Sequence, residues 1–185
     1  SSFFGPSFAA VIVAAGKGLR VGGDTPKQFR TFRGKPVLRH SVDALLAAGC
    51  ETLAIVVPKG LHKEAREAAG NPAGLITIEG AATRQGSVRA GLEALADFFP
   101  TRVLIHDAAR PDLPRAVIER LLTALDTHPG AIPTLPVVDS LAVASAQGTM
   151  DGKAERETLR RVQTPQAFRY GDIIKAHRAW QGEPD

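Results

Sequence analysis

The chain has 185 residues, 44% of them hydrophobic and 23% charged, with a formal net charge of +4. That is an ordinary globular composition, long enough for one domain with its own core. The single cysteine, Cys50, excludes intrachain disulfides and a Cys-based zinc site. No apolar run reaches the ~18 residues of a membrane span. The mild basic excess has no Lys/Arg run interleaved with aromatics, so neither membrane nor nucleic acid is expected as a partner. Residues 1–6 lack the basic start and long apolar stretch of a signal peptide, and a cytoplasmic protein is expected.

In chain order, an apolar run predicts a buried strand over 8–14. A loop rich in Gly, Lys and Arg follows, as far as Arg33. Pro36 opens a helix in which Val37, Leu38, Val42, Leu45 and Leu46 recur at helical spacing, and Gly49 ends it. Cys50 reads as a structural thiol at the end of this helical pattern. A β-branched apolar run predicts a second strand over 52–57, closed by Pro58 and Gly60. A short charged helix over 61–69, a strand over 75–79 and a turn over 80–83 come next. A helix over 84–96 turns Val88, Leu92 and Leu95 inward. A fourth strand spans 102–106, followed by a helix over 114–127. A fifth strand over 131–138 carries Pro133 and Pro136 and must lie near an edge or bend. Alternation and Gly-containing turns over 140–161 predict a β-arm with little core material. Residues 163–168 read as a polar loop closed by Phe168, and a last helix spans 171–180.

Strands and helices alternate with short connections, and the strands are apolar on both faces. The pattern predicts an α/β fold, a Rossmann-like, mostly parallel sheet covered by helices on both sides. Ligands in such sheets sit beyond the carboxyl ends of the strands. Three unusual segments all follow strands, and topology alone gathers them on one edge.

The first segment is the loop after the opening strand. It fits neither the G-x-x-x-x-G-K-[ST] nor the G-x-G-x-x-G pattern. Instead the small residues Ala14 and Ala15 precede Gly16 and Gly18, where a base or ribose can approach the backbone. Lys17, Arg20 and Lys27 can reach a phosphate chain, although solvated surface cations are the plainer explanation of any one of them. The second segment runs from Leu104 to Pro111. Asp107, at the mouth of a buried strand, can meet a hydrated Mg²⁺ or a ribose hydroxyl, and Arg110 can clamp an anion. The alternative is an Asp that caps its own turn with Arg110 as ion-pair partner. His106 is expected to serve the sheet end and not a metal. The third segment is Arg84-Gln85-Gly86-Ser87, where Ser87 is either a helix cap or a nucleotide contact. No nucleophile has a paired base. The chemistry therefore needs positioning and charge neutralisation, as in phosphoryl or nucleotidyl transfer.

Taken together, A-A-G-x-G-x-R from Ala14, P-K-Q-F from Pro26, R-x-x-S-V from Arg84, H-D-A-A-R-P from His106 and T-P-Q-x-F from Thr164 resemble the 2-C-methyl-D-erythritol 4-phosphate cytidylyltransferases. The resemblance extends from Phe8 to Trp180. It implies a fold of the nucleotide-diphospho-sugar transferase type and transfer of CMP from CTP to methylerythritol phosphate, in the non-mevalonate route to isoprenoids. By motif, Arg20 and Lys27 would be catalytic, stabilising the transition state at the α-phosphate. Ala14, Ala15, Gly16, Gly18, Gly80, Ala81, Ser87 and Asp107 would hold the nucleotide. Asp107, Arg110, Ser140, Arg156 and Thr164 would hold the polyol phosphate. Mg²⁺ would be bound mainly through CTP phosphates, with Asp107 as the protein carboxylate within reach. The β-arm, about 139–161, would exchange with a second subunit in a homodimer, so that Ser140 and Arg156 complete the neighbour's site.

Three departures accompany the resemblance. Ser140 stands where the family usually has Thr. The turn Gly80-Ala81-Ala82 lacks the family's acidic third residue, which removes a side-chain contact to the base from position 82. After Asp185 the family continues with a Thr-Asp-Asp loop, a strand carrying a Lys and a last helix. The chain is expected to be one nucleotidyltransferase domain over 1–185 without that part, and a fusion to the cyclodiphosphate synthase of the same pathway is a possible context. The competing functions are a ribitol-phosphate cytidylyltransferase or another nucleotidyltransferase of the same fold, a nucleotide-binding module without catalysis, and an RNA-binding protein with steeply salt-dependent affinity.

Overall fold

The computed structural model describes residues 7–15, 25–133 and 164–180. In chain order its elements are β1 (Phe8–Val13), a 3-10 turn (Lys27–Phe29), β2 (Thr31–Phe32), β3 (Lys35–Pro36), α1 (Val37–Ala47), β4 (Cys50–Val57), α2 (His62–Ala68), β5 (Ile76–Glu79), α3 (Arg84–Ala94), β6 (Arg102–Asp107), α4 (Arg115–Ala124), β7 (Gly130–Ala131), β8 (Gln166–Arg169) and α5 (Tyr170–Ala179).

Among the described residues the main sheet runs β5-β4-β1-β6-β8-β7. β5, β4, β1 and β6 are parallel, and β8 is antiparallel to both its neighbours. β1 is central and apolar at every position, so it is buried on both faces. Its alternate residues feed two cores. Phe8, Ala10 and Ile12 pack with Leu38, Val42 and Leu45 of α1 and Ile118, Leu121 and Leu122 of α4. Ala9, Val11 and Val13 pack with Val88 and Leu92 of α3 and Tyr170 and Ile174 of α5. The period-two alternation of a strand thus divides one apolar run between two helical layers, as the expected architecture requires.

Several local expectations change. The loop after β1 contains a hairpin, β2–β3, whose turn residues Arg33 and Gly34 both have positive φ, 49° and 83°. Positive φ at both turn residues is the type I′ geometry, and Arg in place of Asn or Asp at its first position hides it from sequence inspection. Cys50 begins β4 and does not end α1; burial pushes its thiol up to about 12, so it is protonated and inert at neutral pH. Within the expected polar loop at 163–168, residues 166–168 are strand: β8 pairs with β6, burying Ala167 in one core while Phe168 packs on the other. Four residues are too few to show a period, and the neighbouring strand decides their conformation. The fifth predicted strand is seen as Gly130–Ala131 at the edge of the described sheet; its predicted remainder from residue 134 lies outside the described residues, as does the β-arm.

Candidate functional site

The parallel register brings the three unusual loops together. Val13 pairs with Val56 on one side and Asp107 on the other, and Val56 pairs with Ile78. The segments after β1, β5 and β6 therefore leave the sheet at one edge. The Ala14 N–H continues the ladder to the Val56 carbonyl at 2.8 Å, and the Gly80 N–H reaches the Val57 carbonyl at 2.9 Å. This turns the chain after β5 across β4 towards Ala15. A Cβ on Gly80 would overlap the Ala15 methyl and lie 2.9 Å from Ser87 Oγ. The small residues at 15 and 80 are thus required by one close approach of two site loops.

Ser87 acts on that same turn. Its Oγ accepts the Ala81 N–H at 3.0 Å and faces the Ala81 carbonyl at 3.4 Å. The cap of α3 is Thr83, whose Oγ1 accepts the Gly86 N–H at 3.0 Å. Ser87 is therefore not the cap expected as its default role. It is buried one turn into the helix and holds Gly80-Ala81 in place.

Lys27 stands on the 3-10 turn, exposed between buried Pro26 and buried Gln28. The Gln28 side-chain amide donates to the Ala14 carbonyl. Phe29 packs against the core beneath. A cation is thereby fastened to the carboxyl end of β1 while its ammonium stays in solvent.

Asp107 closes β6. Its Oδ1 accepts the Ala109 N–H at 2.9 Å, and the Arg110 N–H donates to the Asp107 carbonyl at 3.1 Å, so the carboxylate does cap its own turn. The Arg110 carbonyl accepts from Ser41 Oγ and His106 Nε2, each at 2.9 Å. His106 is fully buried, and burial pushes its pKa below the ordinary value. It is neutral and serves the sheet end. Among the described residues no group of three or more His, Cys, Asp or Glu could hold a metal. Asp107, a lone carboxylate at the end of β6, would fit a Mg²⁺ held mainly by phosphate oxygens and water, a donor set that suits this ion.

Thr164 stands just before β8 with its Oγ1 buried and unpartnered among the described residues. A cleft of about 250 Å³ opens between the start of α3, β8 and α5, walled by Arg84, Gln85, Gln166, Phe168 and His177. The R-x-x-S-V and T-P-Q-x-F segments, distant in sequence, share this cleft. Gly16, Gly18, Arg20, Ser140 and Arg156 lie outside the described residues. The sequence offers Gln28 only as part of the P-K-Q-F motif, with no role of its own, and does not single out Ser41. For Ser41 the signal was present: it interrupts the inward stripe Leu38–Val42–Leu45 at a core-facing position.

Residues 8–184 match the family described as IspD, 2-C-methyl-D-erythritol 4-phosphate cytidylyltransferase. The chain belongs to this family. The bifunctional enzyme IspD/IspF of Erythrobacter litoralis is 58% identical over 180 residues, which is 97% of this chain and 46% of that protein. A 2-C-methyl-D-erythritol 4-phosphate cytidylyltransferase of Cereibacter sphaeroides is 47% identical over 94% of this chain and 78% of its own length. The crystal structure of the Thermus thermophilus cytidylyltransferase superposes with a TM-score of 0.65 at 29% identity, covering 95% of this chain and 79% of that one. The chain spans about half the length of the bifunctional relatives. No helix among the described residues is long and apolar enough to cross a membrane.

Proposed function

We propose that the chain transfers CMP from CTP to 2-C-methyl-D-erythritol 4-phosphate and releases pyrophosphate, a step of isoprenoid precursor synthesis. Family membership supports the reaction. The observation that carries it in the structure is the fastening of the Lys27 turn through Gln28 to Ala14, the residue that follows the Val13–Asp107 pair at the end of β1. A phosphate oxygen of the polyol phosphate attacks the α-phosphorus of CTP, and the bond to the β-phosphate bridging oxygen breaks. Lys27, with Arg20, neutralises charge that grows on the α-phosphate oxygens. Ala14, Ala15, Gly80 and Ala81 offer backbone at close range to the nucleotide. Asp107 and Arg110 face the polyol side, together with Thr164. A Mg²⁺ carried on the triphosphate would supply the remaining charge neutralisation, with Asp107 as its protein carboxylate.

Ser140 and Arg156 are proposed to complete the site of a second subunit in a cytoplasmic homodimer. The test of the reaction is pyrophosphate release from CTP with methylerythritol phosphate and, separately, ribitol phosphate. Release that needs the first polyol, and falls at least ~10²-fold in Lys27→Ala with an unchanged melting temperature, is expected. Preference for ribitol phosphate would reassign the substrate. Calorimetric CTP binding without turnover on either polyol would make the chain a silent nucleotide-binding module.

A further inference from the structure

Four of the five buried polar side chains among the described residues end on backbone atoms of the site loops: Gln28, Ser41, Ser87 and His106. Two of them end on the same atom. The Arg110 carbonyl takes Ser41 Oγ from α1, a residue 69 positions away, and His106 Nε2 from the end of β6, both at 2.9 Å. A carbonyl oxygen has two lone pairs, and here each has a donor. A carbonyl only accepts, so His106 must carry its proton on Nε2.

The other ring nitrogen, Nδ1, is then a lone pair with no partner among the described residues, in a side chain with no solvent exposure. An unpartnered buried acceptor is destabilising, and an apolar ring would fill the same space without it. What the imidazole contributes in return is the bond to Arg110. The rest of the turn is held as firmly: Ala108 N–H to the Val13 carbonyl at 3.0 Å, Ala109 N–H to Asp107 Oδ1 at 2.9 Å and Arg110 N–H to the Asp107 carbonyl at 3.1 Å. Only the peptide after Arg110 remains to be set before Pro111. With the Arg110 N–H and carbonyl both held, φ and ψ of Arg110 are set together, and with them the direction in which its Cα–Cβ bond leaves the chain.

We propose that Ser41 and His106 are positioning residues that act through the Arg110 carbonyl to aim Arg110 at the anionic polyol substrate. α1 then spans the site. The Val37 N–H bonds the Arg30 carbonyl next to the Lys27 turn at 2.8 Å, and one turn later Ser41 holds the Arg110 peptide. The nucleotide side and the polyol side are spaced by one helix.

This inference rests on the proposed transfer reaction, and steady-state kinetics of the complete protein with both substrates varied separates the two. Ser41→Ala, which keeps a good helix former in α1, should raise KM for the polyol phosphate roughly three- to tenfold and leave KM for CTP unchanged. His106→Phe should do the same, with His106→Gln, which keeps an amide donor at similar reach, recovering most of the loss. In an Arg110→Ala background, Ser41→Ala should add nothing, because the residue through which it acts is gone. Ser41→Ala with both KM values unchanged, equal changes in both, or an undiminished effect in the Arg110→Ala background would each overturn the positioning role. If His106→Phe does not fold, Ser41→Ala and its combination with Arg110→Ala decide the matter alone. Wild-type protein inactive with either polyol phosphate would instead overturn the transfer reaction and the positioning role with it.

Discussion

The two ends of the sheet use one device for different purposes. At both, side chains inside the fold reach backbone atoms. At the amino end the targets are carbonyls of finishing helices: Tyr170 Oη donates to Leu92 of α3 at 2.6 Å, Arg102 to Leu122 of α4 at 3.4 Å and Arg169 to Leu125 at 2.8 Å. The last carbonyls of a helix lack the usual i+4 donor; Leu92 and Leu122 take a backbone N–H from three residues on, at 3.1 and 3.2 Å, and the side chains supply each with a second donor. At the carboxyl end the targets belong to loops: Ala14, Ala81 and Arg110. Closing a helix end stabilises the fold wherever it occurs. Holding a loop peptide in one orientation matters only if something must meet that loop. The amino end also leaves Phe98 and Phe99 at 55% and 86% exposure, with Phe99 at φ 48°, so tight closure there is not demanded.

Substitutions can break this contrast. After Lys27→Ala, the largest expected effect is that of Gly80→Ala, whose new methyl must displace Ala15 and Ser87 together. CTP affinity measured by calorimetry should fall at least about tenfold, or more than 1.4 kcal/mol. The control is Gly91→Ala in α3, whose methyl would enter the space of Val11 and Val56 in the core. That substitution should cost about 1–3 kcal/mol in urea unfolding and leave CTP affinity within twofold of wild type. Loss of affinity in both, or in neither, would erase the distinction between site spacing and core packing.

Gln28→Leu removes the bond to Ala14 but also Oε1 of Gln28, which has no partner among the described residues. The two changes oppose each other, so stability should fall by only about 1 kcal/mol. The rate that depends on Lys27 should fall further, read as kcat at saturating substrates. A stability loss without a rate change would make Gln28 a core residue and nothing more.

His106 makes acid stability a test of the same loop. Burial depresses its folded-state pKa, so below its ordinary unfolded value near ~6.5 the unfolded chain binds a proton that the folded chain refuses. Its contribution to stability is therefore present above that value and lost as pH falls through the window beneath it. Melting temperature should drop between neutral and mildly acid pH, and drop less steeply in His106→Gln. Equal slopes would show that His106 protonates freely in the fold. The smallest effect belongs to the amino end: Tyr170→Phe should cost about 0.5–1.5 kcal/mol through the Leu92 carbonyl. Both KM values should stay at wild type, and a shift in either would show that the two ends are coupled.

The apolar runs of β1, β4 and β6, the inward stripes of α1, α3 and α4, and the site segments after β1, β5 and β6 were all legible in the sequence. Each rests on local periodicity or on a short motif, and parallel topology then places the loops at one edge. Tertiary structure alone decided the rest. β8 is a strand because β6 offers its edge, since four residues carry no period of their own. Thr83 and not Ser87 caps α3, because the cap depends on where the helix starts, and Ser87 is then free to hold Ala81. The convergence of Ser41 and His106 on one carbonyl joins residues 69 and 4 positions from Arg110. A hydrogen bond to a backbone atom is indifferent to the identity of the residue that supplies that atom. Motifs name the side chains of the site, and only the packed chain shows which others hold its backbone.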